Sequence, residues 1–318
     1  MNKASIKPKK LEKGQCIGLI APASCGDWQE ASAGIDLLQK LGYEVRIGRS
    51  VQQKWGYLAG SDAVRLRDLE EMFADPSIAA IFCLRGGYGA MRYLAELNYE
   101  LLRQNPKILL GYSDVTALFT AISQTCGFPV FHGPMVASDL GRNPSDYTIA
   151  AMLRSLETSR PLGLISNPPE QPLNWLCPGE ASGILTGGNL SLLAATLGTP
   201  YEIDTKNKIL CLEEIGEEPY RIDRLLTQLR LAGKLQEAAG LVLGRFVNCE
   251  EEEPEQETEK GFSLQEVLQD RLSDLSIPIL GNLAFGHQPD KTTLPFGVKA
   301  RLSTSDGGLI LAESAFTD

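Results

Sequence analysis

The sequence predicts an α/β protein. Its first half reads as a parallel sheet with helices on both faces, and its second half as a further, strand-richer unit. Three observations carry that expectation. Short apolar runs at 16–21, 78–84 and 108–111 read as buried parallel strands, because a strand covered on both faces has no polar alternation. A stretch with helical spacing follows each run, and repeated strand–helix units build one parallel sheet. Then Pro144, Pro161, Pro168, Pro169, Pro172 and Pro178 crowd a single region, beyond which the pattern becomes irregular.

Taken in order, the run at 16–21 ends on Pro22, with a helix at 31–41 and a strand at 44–47 behind it. Ser61 or Asp62 is placed to cap a helix whose apolar stripe is Val64, Leu69, Met72 and Phe73. The strand at 78–84 breaks at Arg85-Gly86-Gly87-Tyr88-Gly89, before a helix at 90–97. The strand at 108–111 enters a helix whose Val115, Leu118, Phe119 and Ile122 recur at i, i+3, i+4 and i+7. Residues 129–132 read as the next strand, and the proline-rich stretch holds a helix at 149–156. The second half offers an extended segment at 183–186, a Gly-Gly-Asn turn and helices at 190–197 and 219–231. Its strands fall at 209–213, 241–244, 277–280, 298–302 and 309–311. The division expected is an N-terminal domain at 1–143, a linker at 144–180 and a C-terminal domain at 181–318.

Composition narrows the function. A chain of 318 residues with 43% hydrophobic and 22% charged residues is that of a soluble globular protein. Its apolar runs fall well short of the ~20 residues that span a bilayer. The stretch at 17–21 is too short for a signal-peptide core, so the expected location is the cytoplasm, with no membrane partner. The seven cysteines are scattered, odd in number and without a Cys-x-x-Cys pair, which disfavours both a disulfide framework and a zinc site. A net charge of −10 argues against nucleic acid as a partner. Much of it sits at 250–260, where seven glutamates and one lysine read as a solvated surface loop.

Four features could carry chemistry. Ser113 lies in Gly111-Tyr112-Ser113-Asp114, where a buried strand turns into a helix. A serine at such an elbow is exposed beside free N–H groups of the helix start, although a serine there can equally be a helix cap. The Arg85–Gly89 turn falls at the same carboxyl edge of the sheet, where open α/β folds bind ligands, and its glycines let backbone N–H groups approach one. Glu213 and Glu214 end a buried strand, and alternation alone does not choose between them. Of only two histidines, His287 sits in a Gly-His-Gln-Pro-Asp turn, whereas His132, between Phe131 and Gly133, reads as buried, hydrogen-bonded and structural. Two histidines without close partners do not make a metal site.

Six stretches resemble a known family. They are Gly18-Leu19-Ile20-Ala21-Pro22-Ala23-Ser24, Leu84-Arg85-Gly86-Gly87-Tyr88-Gly89, Gly111-Tyr112-Ser113-Asp114, Leu185-Thr186-Gly187-Gly188-Asn189-Leu190, Leu212-Glu213-Glu214-Ile215-Gly216-Glu217 and Gly286-His287. In this order they resemble the LD-carboxypeptidase family of serine peptidases, the cytoplasmic muropeptide carboxypeptidases and their microcin C immunity relatives. The resemblance runs from about Lys13 to Leu311. It implies an N-terminal parallel-sheet α/β domain, a C-terminal mixed α/β domain and an active site between them. It implies Ser113 as nucleophile, His287 as general base, Glu213 as the acid that orients it, and the N–H groups of Gly87 and Asp114 as the oxyanion hole. It further implies a homodimer that removes terminal D-Ala from a murein tetrapeptide, with a small peptide as substrate and no metal or cofactor. Arg85 is the candidate for the substrate carboxylate, because arginine matches carboxylate geometry. Two other readings stand beside this one. An immunity-type peptidase would cleave aminoacyl-nucleotides and stack the base on Trp28, Trp55 or Trp175. A non-catalytic ligand-binding protein would use Ser113 only as a cap.

Overall fold

The structure, a computed structural model, describes residues 6–250 and 261–317; most of the acidic 250–260 stretch therefore lies outside the described residues. The first half forms strands β1 (Cys16–Ile20), β2 (Glu44–Ile47), β3 (Ile78–Cys83), β4 (Ile108–Gly111) and β5 (Val130–His132). Helices α1 (Trp28–Lys40), α2 (Asp62–Ala74), α3 (Tyr99–Gln104) and α4 (Thr116–Cys126) alternate with them. Asp27 caps α1 by accepting from Gln29 N and Glu30 N, which starts that helix three residues earlier than its apolar spacing indicates. The segment expected as a helix after the glycine turn is instead a 3₁₀ stretch, Ala90–Glu96, followed by the short α3 capped by Asn98.

After α5 (Asp146–Glu157) come β6 (Gly163–Leu164), β7 (Asn174–Cys177), β8 (Glu180–Asn189), α6 (Leu190–Ala195), β9 (Lys208–Ile215), α7 (Pro219–Leu231) and β10 (Gly240–Val247). The chain ends with α8 (Leu264–Leu272), β11 (Ile279–Gly281), β12 (Leu294–Phe296), β13 (Lys299–Ser303) and β14 (Gly308–Leu311). Helix α8 begins at a reciprocal capping box between Ser263 and Glu266, a Ser-x-x-Glu signal present in the sequence.

Two sheets result. The first has six strands in the order β12-β5-β4-β3-β1-β2, parallel except for β12. The second is mixed, with eight strands in the order β6-β14-β13-β8-β9-β10-β11-β7 and a parallel centre from β8 to β11. Residues 144–180, rich in proline, supply α5 and both edge strands of the second sheet, β6 and β7. The late strand β12 crosses back and pairs with β5, setting Leu294 opposite His132.

The crossing segment joins the two sheets. On leaving β12 the backbone bonds to β8, with Gly297 N donating to Leu185 O at 2.8 Å and Leu185 N to Val298 O at 2.8 Å. One apolar core accordingly runs from the first sheet to the inner face of the second, taking in Ile209, Cys211 and Val242. The outer face of the second sheet packs Leu210 and Leu212 against Ile222, Leu226 and Leu229 of α7. Alternation along β9 thus sends odd-numbered residues inward and even-numbered ones towards the outer helices.

Candidate active site

The carboxyl ends of β4, β3, β8 and β9 converge at one point. Tyr112, fully extended, leads from β4 into Ser113, whose φ is +62°. Left-handed backbone costs an L-residue roughly 1–2 kcal/mol, so surrounding structure must impose it. A cap has extended backbone and a hydroxyl bonded to a nearby amide. Ser113 has neither, and no side-chain cap bond starts the 3₁₀ turn or α4.

The glycine turn lies directly over this serine. A Cβ on Gly86 would stand 2.8 Å from Ser113 Cβ, 2.9 Å from its Oγ and 3.3 Å from Asp114 N, so only glycine fits. Gly87 has φ +103°, and a Cβ there would strike Ser24 Oγ at 2.4 Å. That hydroxyl accepts from Tyr88 N at 3.1 Å, while Ser24 N donates to Gly86 O at 3.2 Å. Ala90 N donates to Asp114 Oδ2 at 2.8 Å, tying the far end of the turn to the elbow. The fully buried Arg65 adds Nη1 bonds to Gly89 O at 2.8 Å and to Pro22 O at 2.9 Å. Burial pushes the Asp114 carboxyl up to about 6, against the pull of the Ala90 and Gly89 N–H groups.

The second sheet brings an acid and an imidazole. Glu213, pointing inward from β9 and wholly buried, lies with Oε2 2.6 Å from His287 Nδ1. Burial alone would raise this carboxyl, but His132 and His287 outweigh it and bring it down to about 2. Glu214 points the other way. It accepts from Asn189 Nδ2 at 2.7 Å, Ser191 N at 2.7 Å and Ile215 N at 2.9 Å. Of the two adjacent glutamates, not separable in the sequence, the face of β9 thus brings Glu213 to His287 and turns Glu214 away. The His287 ring meets the Tyr112 ring edge-on at 4.9 Å, which sets the imidazole beside the elbow, although no hydrogen bond joins it to the Ser113 hydroxyl. Such contacts are often loose without substrate.

Behind Tyr112, the buried Lys291 ion-pairs with Asp139 and lies 3.1 Å from the Tyr112 hydroxyl, closing the floor of the site. Among the described residues, no group of three or more His, Cys, Asp or Glu side chains could hold a metal ion.

Two family models match the chain: the LD-carboxypeptidase N-terminal domain over residues 17–133 and the LD-carboxypeptidase C-terminal domain over 182–302. The chain belongs to the LD-carboxypeptidase family. It is 42% identical over 302 residues to a protein of Bacillus subtilis (strain 168) named probable murein peptide carboxypeptidase, covering 95% of this chain and 93% of that one. The crystal structure of muramoyltetrapeptide carboxypeptidase from Oxalobacter formigenes superposes with a TM-score of 0.79 at 32% identity, covering 93% of this chain and 97% of that one. The microcin C7 self-immunity protein MccF in complex with aspartyl sulfamoyl adenosine superposes with a TM-score of 0.89 at 23% identity, covering 98% and 100%, and so shares the fold. The LD-carboxypeptidase fold expected from the motifs, a parallel-sheet domain followed by a mixed one, is the fold observed.

The other residues singled out in the sequence fall as follows. Arg85 is half-buried and directs Nη1 towards Cys25 O at 3.4 Å, with Nε unpartnered. Trp28 and Trp55 are exposed, and Trp175 is half-buried in the edge strand β7. His132 is buried as expected, but neither of its ring nitrogens has a hydrogen-bond partner. Sequence reasoning missed Ser24, Arg65, Asp139 and Lys291. A signal existed for Arg65: it lies four residues before Leu69 and seven before Met72, inside the apolar stripe of α2.

Two stability measurements check this geometry. The folded Asp114 carboxyl keeps its proton to about pH 6, the unfolded one only to 3.8, so folding takes up a proton between these values. Its contribution to stability falls as pH rises through that window. Asp114→Asn, which keeps an acceptor for Ala90 N, should gain on the parent between pH 4 and 7 by up to roughly 3 kcal/mol in denaturant titrations; a pH-independent difference contradicts the assignment. Glu214→Ala should lower stability by about 1–3 kcal/mol, because it orphans the buried Asn189 amide and removes the acceptor of the Ser191 and Ile215 N–H groups. A melting temperature equal to the parent's would show that those bonds carry nothing.

Proposed function

We propose that this protein is a cytoplasmic serine carboxypeptidase that releases the terminal D-Ala from murein tetrapeptide. The bond hydrolysed joins the L-centre of the diamino acid to D-Ala. The observation that carries this reading is the 2.6 Å contact of buried Glu213 with His287 Nδ1, made beside a serine held in left-handed backbone under a glycine turn. The names of the Bacillus and Oxalobacter relatives support the substrate class. Family membership also supports a homodimer as the working form.

The chemistry follows from the arrangement. With Nδ1 engaged by Glu213, His287 offers Nε2 to the Ser113 hydroxyl. It takes the hydroxyl proton as Oγ bonds the scissile carbonyl carbon. The N–H groups of Asp114 and Gly87 receive the negative oxygen that forms. When the C–N bond breaks, His287 passes its proton to the D-Ala amine. Water, deprotonated by the same imidazole, then attacks the acyl carbon; as the C–Oγ bond breaks, His287 returns the proton to Ser113 Oγ and the tripeptide leaves. Glu213, held ionised by its histidines, stabilises the imidazolium in each half-reaction. Family membership and the full Ser113, Glu213 and His287 set weigh against a mere binding module, which has no use for a buried acid–imidazole pair.

Incubation with disaccharide-free tetrapeptide should yield tripeptide and D-Ala by mass spectrometry. Turnover of an aminoacyl sulfamoyl nucleotide with none of the tetrapeptide would move the assignment to the immunity-type activity. Ser113→Ala and His287→Ala should each cost about 10⁴–10⁶ in kcat while leaving the melting temperature near the parent's. Retention of a tenth of parental kcat by either variant removes that residue from the mechanism.

Specificity provides a separate check. A site that pairs a cation with the substrate's terminal carboxylate should reject the C-terminal amide, because the cation is then left unpaired. The kcat/KM for acid should exceed that for amide by two orders of magnitude or more, and Arg85→Ala should erase most of the difference. Equal values for acid and amide argue against a carboxypeptidase; a preference surviving in Arg85→Ala argues only against Arg85.

A further inference from the structure

His132 is buried in a setting that a purely structural residue does not need. Strand β5 places it beside Gly111 in the parallel ladder and opposite Leu294 of β12. Three rings enclose it: Tyr112 at 5.6 Å, Phe285 at 5.3 Å and Phe296 at 5.6 Å. These come from three different chain segments, and together they fix the plane of the imidazole. Both ring nitrogens are buried without a hydrogen-bond partner. A buried polar atom without a partner calls for an explanation, and here two residues lack one towards each other. Glu213 Oε1, the oxygen His287 does not engage, is also buried and unpartnered, and His132 Nε2 is 3.9 Å from it.

We propose that His132 is a positioning residue for Glu213: a neutral imidazole that carries its proton on Nε2 and directs it at the carboxylate oxygen His287 leaves free. This rests on the reading that Glu213 and His287 serve Ser113. At 3.9 Å the contact is charge–dipole in character, and a shift of about 1 Å closes it to a hydrogen bond. The titratable groups around the ring are Glu213, Lys291, His287 and Tyr112. Burial lowers the His132 pKa, and Lys291 and His287 lower it further, against the pull of Glu213. A neutral ring is required for the role. A second cation would compete with His287 for the carboxylate, whereas a neutral N–H steadies Oε1 and leaves Oε2 to His287. A carboxylate held at both oxygens cannot swing away while His287 exchanges its proton.

The chain has only two histidines, so ring ¹⁵N spectra of untagged, ¹⁵N-histidine-labelled protein resolve both, with His287→Ala supplying the assignment. His132 should appear as the neutral Nε2–H tautomer from pH 8 to pH 6, and its ring shifts should move in Glu213→Gln. The Nδ1–H tautomer, an imidazolium at pH 7, or shifts indifferent to Glu213→Gln would overturn the proposal. These readings hold whether or not murein peptide proves to be the substrate. In kinetics, His132→Phe keeps the ring packing and removes the donor; kcat should fall about tenfold with KM within twofold, and His132→Gln should recover part of the loss. A folded His132→Phe with parental kcat would reduce His132 to packing. If that variant does not fold, the tautomer in the parent protein still decides.

Discussion

A buried carboxylate organises this molecule. Glu213 is enclosed completely, yet it must stay ionised and must reach a histidine from a distant loop. A desolvated charge survives only when paired and hydrogen-bonded. The fold has therefore to deliver partners to the end of β9 from several directions. His287 arrives on the turn after β11, and His132 stands on β5 of the other sheet. Both deliveries depend on the crossing of β12, which pairs with β5 and, through Gly297 and Val298, with β8. Were the two sheets free to slide, the acid would lose the first sheet's side of its enclosure.

The elbow makes a second demand of the same kind. Ser113 is held in left-handed backbone with no side-chain cap bond to justify it, so the strain is borne by its neighbours. The glycine turn above is itself held at several points, by Ser24, Arg65 and Asp114. Arg65 matters most because its guanidinium is buried and two of its bonds go to backbone carbonyls on separate loops. In the mechanism proposed above, a rigid roof over a strained serine would let the Gly87 and Asp114 N–H groups receive the oxyanion without reorganisation at the moment of reaction.

How much of this the sequence discloses depends on how local the cause is. The strand–serine–helix elbow and the Gly86-Gly87 turn are legible because their requirements are written in adjacent residues. The choice of Glu213 over Glu214 is not. It depends on which face of β9 meets the first sheet, a fact set by packing many residues away. Strand β12 is hidden for the same reason: Leu-Pro-Phe carries no strand signal until β5 offers an edge, and a proline is tolerated at an edge strand. The edge strands β6 and β7 pass as linker because prolines surround them. No local signal marks Lys291 or Asp139 in the sequence, and only the folded chain buries the lysine beside Tyr112.

The two histidines show how burial divides one side-chain chemistry into two tasks. His287 keeps an eighth of its side chain in contact with solvent and gives one nitrogen to Glu213, which leaves Nε2 for the role proposed above. His132 has almost no exposure, so desolvation favours its neutral form, and no substrate can reach it. The same carboxylate faces both rings through different oxygens. On the proposed mechanism, proton exchange belongs to the ring that solvent can reach, and constancy to the ring it cannot. In the mechanism proposed above, an acid flanked in this way would stabilise a transient imidazolium on one side because the other side neither gains nor loses charge as the reaction proceeds.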